Sequence, residues 1–231
     1  MQYENMNLFK KIVKWIVIGF FSSTILAVVI YRFIPVYYTP LMFIRLAEQA
    51  TSDEYEVKMH HKWVPLDEMS KYMPVAVMGG EDSRFLQHHG FDFNAIQKAA
   101  INNKKGGKVH GASTISQQTA KNVFLWPGRS WSRKGFEMYF TVLIEALWGK
   151  ERIMEVYLNS IEMGNGIYGV EACAQDNFGK TASELTRSEC AQIAATLPNP
   201  RKFSSKNPSP YMQKRRRDIE LNMHFIPLFK P

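Results

Sequence analysis

A chain of 231 residues, 45% hydrophobic with 14 Gly and 11 Pro, has room for one folded domain and one appendage, and it contains no repeats or low-complexity tracts. Its net charge of +8 at pH 7 suits an anionic membrane surface or a phosphate-bearing substrate. Nucleic acid, the other natural partner of a basic chain, is excluded by the membrane anchor and external placement read below, and the two cysteines, Cys173 and Cys190, lie in helix-like apolar patterns that read as buried thiols rather than a disulfide.

The appendage comes first. From Trp15 to Tyr31 there are 17 residues without a charge, and Phe33 and Ile34 lengthen the apolar stretch past Arg32, which can snorkel. Trp15 and Tyr31 stand where interfacial aromatics belong. A cleaved signal peptide is the rival reading, but no A-x-A site follows the apolar run, so the segment reads as an uncleaved anchor. Lys10, Lys11 and Lys14 flank its N-terminal side, which by the positive-inside rule keeps residues 1–14 cytoplasmic and places everything after the 15–34 anchor outside the inner membrane. Setting aside Lys10, Lys11, Lys14 and Arg32 against Glu4 leaves the external part 25 basic and 20 acidic residues, still a net +5.

Residues 35–59 read as a linker with a short helix after Pro40, running on as an extended segment through Trp63, and residues 60–231 as the folded domain. After the apolar run Met73 to Met78 comes EDSRFLQHHGFD, Glu81 to Asp92. Glu81, Phe85 and His88 at i, i+4 and i+7 predict one helix face joining a carboxylate to an imidazole across a ring, closed by Gly90. A carboxylate beside an apolar ring has its pKa raised by desolvation, as a general base near neutral pH requires. The bland alternative is a capped surface helix with an ordinary Glu-Asp pair.

Phe93 to Asn103 predicts a helix with Asn94 as cap, followed by a basic loop from Lys104 to Gly111. In GASTISQQTAKN, Gly111 to Asn122, Thr114 and Gln117 form a capping box, and Thr114, Gln118 and Lys121 make a polar stripe able to grip a phosphate or sugar, or else a solvated face. FLWPGRSW, Phe124 to Trp131, sets aromatics around a Pro-Gly turn with Arg129 among them, as at a membrane interface or in a core-packing loop. The next helix is expected to open after Ser132, with Arg133 and Glu137 an i, i+4 surface pair of little energetic value. Lys150 to Asn159 predicts an amphipathic helix, 160–180 a glycine-punctuated turn and then a helix through Phe178. Thr181 with Glu184 and Thr186 with Glu189 repeat the capping box, and Ser209-Pro210 starts the last helix. Its basic run, Lys214 to Arg217, reads as a solvated or lipid-facing side. Helix signals recur with no alternating strand run of useful length, so the external part is expected to be mainly α.

Together the segments carry a resemblance. EDSRFLQHHGFD, GASTISQQTAKN, RKGFE (Arg133 to Glu137), KERIMEVYLN (Lys150 to Asn159) and, more loosely, RRRDIELNM (Arg215 to Met223) resemble, in order, the five motifs of the bacterial peptidoglycan glycosyltransferases. The resemblance covers roughly residues 60 to 225. With the chain ending at Pro231, it implies the branch of the family without a penicillin-binding transpeptidase domain. It implies a lysozyme-like, all-α head with a small hydrophobic jaw, between residues 100 and 135, facing the membrane. It also implies polymerisation of lipid II into β(1→4) glycan strands with release of undecaprenyl diphosphate, by an inverting mechanism, and inhibition by moenomycin. On this reading Glu81 is the base, while Lys121, Arg129 and Arg133 offer positive charge to the diphosphate leaving group beside Glu137, the second catalytic carboxylate. No cofactor is obligatory, with room for a divalent cation, magnesium or manganese, near Glu137. Asp82 and His88 orient the first motif with Phe85 packed behind them, and all three are counted with the substrate-binding residues. Thr114 and Gln118 are expected to contact the donor sugar or diphosphate, and Asn159 and Glu155 to be structural. The expected partners are lipid II, the growing strand, membrane lipids and other cell-wall synthesis proteins. A lytic enzyme of the same fold and a non-catalytic scaffold are the competing classes; the cations have no evident role in the first, and no motif residue is missing as the second would require. One departure stands out: Gly79 and Gly80 directly precede Glu81 where helix formers are expected, at about 1 kcal/mol each in a helix interior, which would loosen the helix that aims Glu81.

Overall fold

The computed structural model describes residues 2–52, 56–104, 113–128 and 130–229. It divides into two compact units, Met1–Pro35 and Val36–Pro231. The first is a single helix, α1 (Gln2–Phe33), whose stretch Leu8–Phe33 is long and apolar enough to cross a membrane. Its hydroxyls do not spoil the apolar surface, because Ser23 and Thr24 both donate to the carbonyl of Phe20 one turn back.

The second unit is built from helices whose starts are written in the chain. Thr39 caps α2 (Pro40–Ala50) with proline in the first turn, Thr114 and Gln117 cap α5 (Ile115–Phe124) reciprocally, and Thr186 with Glu189 does the same for α9 (Arg187–Ala194). Ser209 caps α10 (Pro210–Asn222). Between them lie α3 (Tyr72–Glu81), α4 (Phe93–Lys104), α6 (Trp131–Leu147), α7 (Lys150–Ser160) and α8 (Val170–Phe178). The centre is α7, where Ile153, Met154, Val156, Tyr157 and Leu158 are fully buried. The α5 helix packs on α6 and α7, and α3 on α9 and α10. Asn159 closes α7 against the incoming chain by bonding both the N–H and the carbonyl of Val64, and Glu155 accepts from the N–H of Leu66. Those two residues are structural, as expected. Cys173 and Cys190 are free and buried, which pushes their thiols up to about 11 and about 12.

Four local expectations are corrected. The first motif is not a helix: α3 ends at Glu81, Asp82 leaves helical geometry at φ −158°, and residues 82–90 fold as successive turns. The chain leaves the helix because the Asp82 carboxylate has better partners elsewhere, the ring of His88 and the N–H of Ile115, each at 3.0 Å. Gly90 is a turn residue at φ +89°, where a Cβ would stand 2.9 Å from Thr141 Cγ2, so it lets the turn close on α6. Second, Asp92 rather than Asn94 caps α4, and Ser130 rather than Ser132 opens α6. Third, Gly79 and Gly80 do not loosen α3. A Cβ on Gly80 would lie 3.2 Å from Ile219 Cδ1, so its missing side chain eases the packing of α10, and Asn222 of α10 donates to the Gly79 carbonyl at 3.1 Å. Fourth, a small sheet exists: β1 (His60–His61), β2 (Glu162–Gly164) and β3 (Ile167–Tyr168) in the order β1-β3-β2, parallel across β1 and β3 and antiparallel across β2 and β3. Strands of two or three residues are too short to show an alternating pattern.

Of the stretch expected to form an apolar jaw, α5 belongs to the core, whereas Ile101, Trp126 and Trp131 are exposed, Trp131 at 93%. Phe93 and Ile96 on α4 and Met138 and Val142 on α6 are exposed as well. The basic loop after Lys104, and Arg129, lie outside the described residues.

The β2–β3 turn yields a prediction. Gly166 sits at φ +67°, and a Cβ there would fall 2.1 Å from the carbonyl oxygen of Lys58. Gly166→Ala is expected to cost about 2 kcal/mol or more, lowering the thermal midpoint by roughly 4–8 °C in a melting experiment on the detergent-solubilised chain.

Candidate active site

Glu81 ends α3 with its carboxylate half-buried at the edge of a cleft and bonded from two other helices. Arg215 of α10 donates through Nη2 to Oε1 at 3.0 Å and to the Gly80 carbonyl at 3.2 Å; Gln118 of α5 donates through Nε2 to Oε2 at 3.2 Å. Burial is the largest influence and raises the carboxyl above the usual range, opposed by the charge of Arg215, the bonds from Gln118 and Arg215, and the charge of Lys121. A cleft of about 480 Å³ opens beside it, lined by Glu81, Ser83, Asn222 and Phe225.

On α6 the fold gathers a second group. Arg133 Nη1 bonds Glu137 Oε2 at 2.9 Å and Lys134 bonds the other oxygen, Oε1. The expected surface pair is therefore a buried one, with side chains 11% and 4% exposed, because α6 packs against α5. Lys121 links the two groups: its charge acts on Glu81, and its own pKa is lowered, first by burial and then by the charges of Arg133, Lys134 and Arg45, against the raising influence of Glu137. Three cations, Lys121, Arg133 and Lys134, thus share one carboxylate at one end of a site whose other carboxylate is Glu81. Such an arrangement has spare positive charge for an anionic ligand. It does not fit a divalent cation held by Glu137, since both oxygens of that carboxylate are taken by Arg133 and Lys134, and no cluster of three His, Cys, Asp or Glu occurs among the described residues.

The remaining sequence candidates are placed behind this surface. Asp82, Phe85, His88 and Thr114 are buried. Asp82 holds His88 and the N-terminus of α5, and Thr114 spends its hydroxyl on the Gly90 carbonyl at 2.7 Å. Phe85 packs edge-on to His88 and faces Phe229, with the Lys150 ammonium 4.4 Å over its ring. These four frame the turn that carries Glu81, and Asp82 also lines the cleft beside that carboxylate. Gln118, by contrast, reaches the carboxylate itself.

Sequence reasoning missed Arg215, taking it as one cation in a solvated run. A signal was present: Met212, Arg215, Ile219 and Asn222 share one helix face, Met212 and Ile219 are buried, and Asn222 bonds the Gly79 carbonyl. Lys134 was read only as part of the third motif.

With this geometry in view, the chain compares closely with known proteins. A family model described as Transglycosylase matches residues 48–224. The biosynthetic peptidoglycan transglycosylase of Bacteroides thetaiotaomicron is 56% identical over 225 residues, 96% of this chain and 90% of that protein. Proteins of the same description from Caulobacter vibrioides and Pseudomonas fluorescens are 53% and 48% identical, over 86% and 90% of this chain and 83% and 84% of theirs. The all-α architecture agrees with a lysozyme-like head.

The Arg133–Glu137 pair gives a measurable consequence. Arg133→Ala leaves Glu137 buried with Lys134 alone, and removing one partner of a buried pair is expected to cost about 3 kcal/mol, seen as a lower midpoint in chemical denaturation.

Proposed function

The chain belongs to the transglycosylase family, and from that premise we propose how its site polymerises glycan strands: Glu81 is the general base that activates an acceptor hydroxyl, and the Lys121, Arg133 and Lys134 cluster receives a diphosphate leaving group. The protein is a peptidoglycan glycosyltransferase of cell-wall synthesis. The substrate in this proposal is lipid II. The observation that carries it is the pairing of one half-buried carboxylate, raised by desolvation, with a separate excess of positive charge.

In the reaction, the 4-hydroxyl of an N-acetylglucosamine attacks the anomeric carbon of an N-acetylmuramic acid. Glu81 takes the hydroxyl proton as the new C–O bond forms, because a sugar hydroxyl is a poor nucleophile near neutral pH. The bond from the anomeric carbon to the diphosphate breaks, and its electron pair leaves with undecaprenyl diphosphate, whose growing charge faces the cations. Attack from the opposite side inverts the α-linked donor to a β(1→4) link. Glu137 keeps Arg133 and Lys134 in place rather than serving as a second acid or base, so the two carboxylates are not a glycosidase pair. A raised carboxyl alone would equally suit the acid of a lytic enzyme; the cation cluster favours transfer, since a glycosidic oxygen needs a proton and not three cations.

A substrate with a lipid tail has to be met at the membrane. The helix α1 supplies a stretch fit to anchor the chain, with the N-terminus cytoplasmic and the folded unit outside. The exposed apolar side chains Ile101, Trp126, Trp131 and Met138 supply a surface for lipid. Moenomycin, a glycan phosphate resembling the donor, takes the cationic end of the site.

Two outcomes are expected. Glu81→Gln loses polymer formation from purified lipid II by roughly 10²–10⁴-fold while still melting as a folded protein and still binding moenomycin; full activity in the variant would remove Glu81 as base. Arg215→Met withdraws the strongest stabiliser of the ionised Glu81, so its pKa rises further. Because the base works ionised, the acid limb of the kcat/KM profile moves to higher pH, and a limb unmoved or shifted downward would contradict the assignment.

A further inference from the structure

Tyr157, at the centre of α7, is completely buried, and its hydroxyl stands 3.4 Å from Oε1 of Gln118. The nitrogen of the same amide donates to Glu81 Oε2. The amide is therefore held at both ends, its oxygen toward a phenol and its nitrogen toward a carboxylate. A Gln amide has nearly the same shape after half a turn, so only its partners choose which end faces where. An ionised carboxylate accepts and cannot donate; a phenol can donate to the oxygen and complete the same choice. Turned the other way, the amide would set its oxygen against the Glu81 oxygens, an arrangement that favours a proton on Glu81.

We propose that Tyr157 is a positioning residue of this site: by donating to Gln118 Oε1 it fixes the amide with its N–H toward Glu81 and so keeps that carboxylate in its ionised, proton-accepting form. This rests on Glu81 being the base. The other charged and titratable groups acting on Glu81 are Arg215 from α10 and Lys121 from α5, with Asp82 next to it in the chain. Tyr157 itself keeps its proton at any working pH, because burial, and then the charges of Glu81 and Asp82, push the phenol well above its ordinary value. Its role as donor is thus constant while Glu81 titrates.

Tyr157→Phe removes the hydroxyl and keeps the ring that fills the core. The expected result is an acid limb of the kcat/KM profile for lipid II polymerisation displaced to higher pH by about half a unit or more, with the activity deficit largest at low pH. In a Gln118→Ala background the same substitution adds no further displacement, because the relay is already cut. An unmoved limb in Tyr157→Phe, or an equal displacement with and without Gln118, would overturn the proposal and leave Tyr157 as a core residue. Titration of the Glu81 carboxyl by ¹³C NMR of the full chain in detergent, assigned with Glu81→Gln, reads the relay independently of turnover. Should Glu81→Gln retain activity, the base assignment falls, while an upward-shifted Glu81 titration in Tyr157→Phe would still establish the positioning contact.

Discussion

The structure depends on a carboxylate partly withdrawn from water. Glu81 lies where four helices meet: α3 carries it, α10 brings Arg215, α5 brings Gln118, and α7 stands behind Gln118 with Tyr157. Burial works against the charge and the hydrogen bonds work for it, and the first is the larger, so the group rests above the range of an ordinary carboxyl without being neutralised by a tight ion pair alone. A base needs that balance. Full exposure would leave it too weak to take a proton from a sugar hydroxyl, and a stronger ion pair would stabilise the anion and make it a weaker base.

Much of the surrounding fold serves to hold this position. The two glycines before Glu81 weaken α3 as an isolated helix, yet Gly80 leaves room where α10 packs, and Arg215 of α10 reaches the carboxylate. The turn after Glu81 is braced from three directions, by Asp82 on His88 and the start of α5, by Thr114 on Gly90, and by Phe85 under the Lys150 ammonium. Residues of the first motif that look chemical in sequence therefore act as the brace of one residue that is. The cationic group on α5 and α6 is built differently. Its buried carboxylate, Glu137, organises cations and does not compensate them all, so the site keeps a net attraction for anions. Separation of base and cations matches a transfer from a good leaving group, where proton removal and charge reception occur on different atoms.

The chain alone determined a great deal, and for local reasons. Caps at Thr39, Thr114, Thr186 and Ser209, the apolar run of the anchor, and the helical signals that exclude a β architecture are all consequences of a few neighbouring residues. Glu81 was singled out by its residue type and spacing, whereas Lys121, Arg133 and Glu137 were brought together only by the resemblance. Tertiary structure decided the rest. Whether Glu81 to His88 forms a helix depended on Asp82 finding the N–H of Ile115, 33 residues away. Whether Arg133 and Glu137 form a weak surface pair or a strong buried one depended on α5 covering α6. Arg215 was indistinguishable from its basic neighbours until α10 docked on α3 and turned that one side chain toward Glu81, 134 positions earlier. Burial and partnership at such separations arise from packing, which no local pattern of side chains encodes, and they set the charge state on which the proposed chemistry turns.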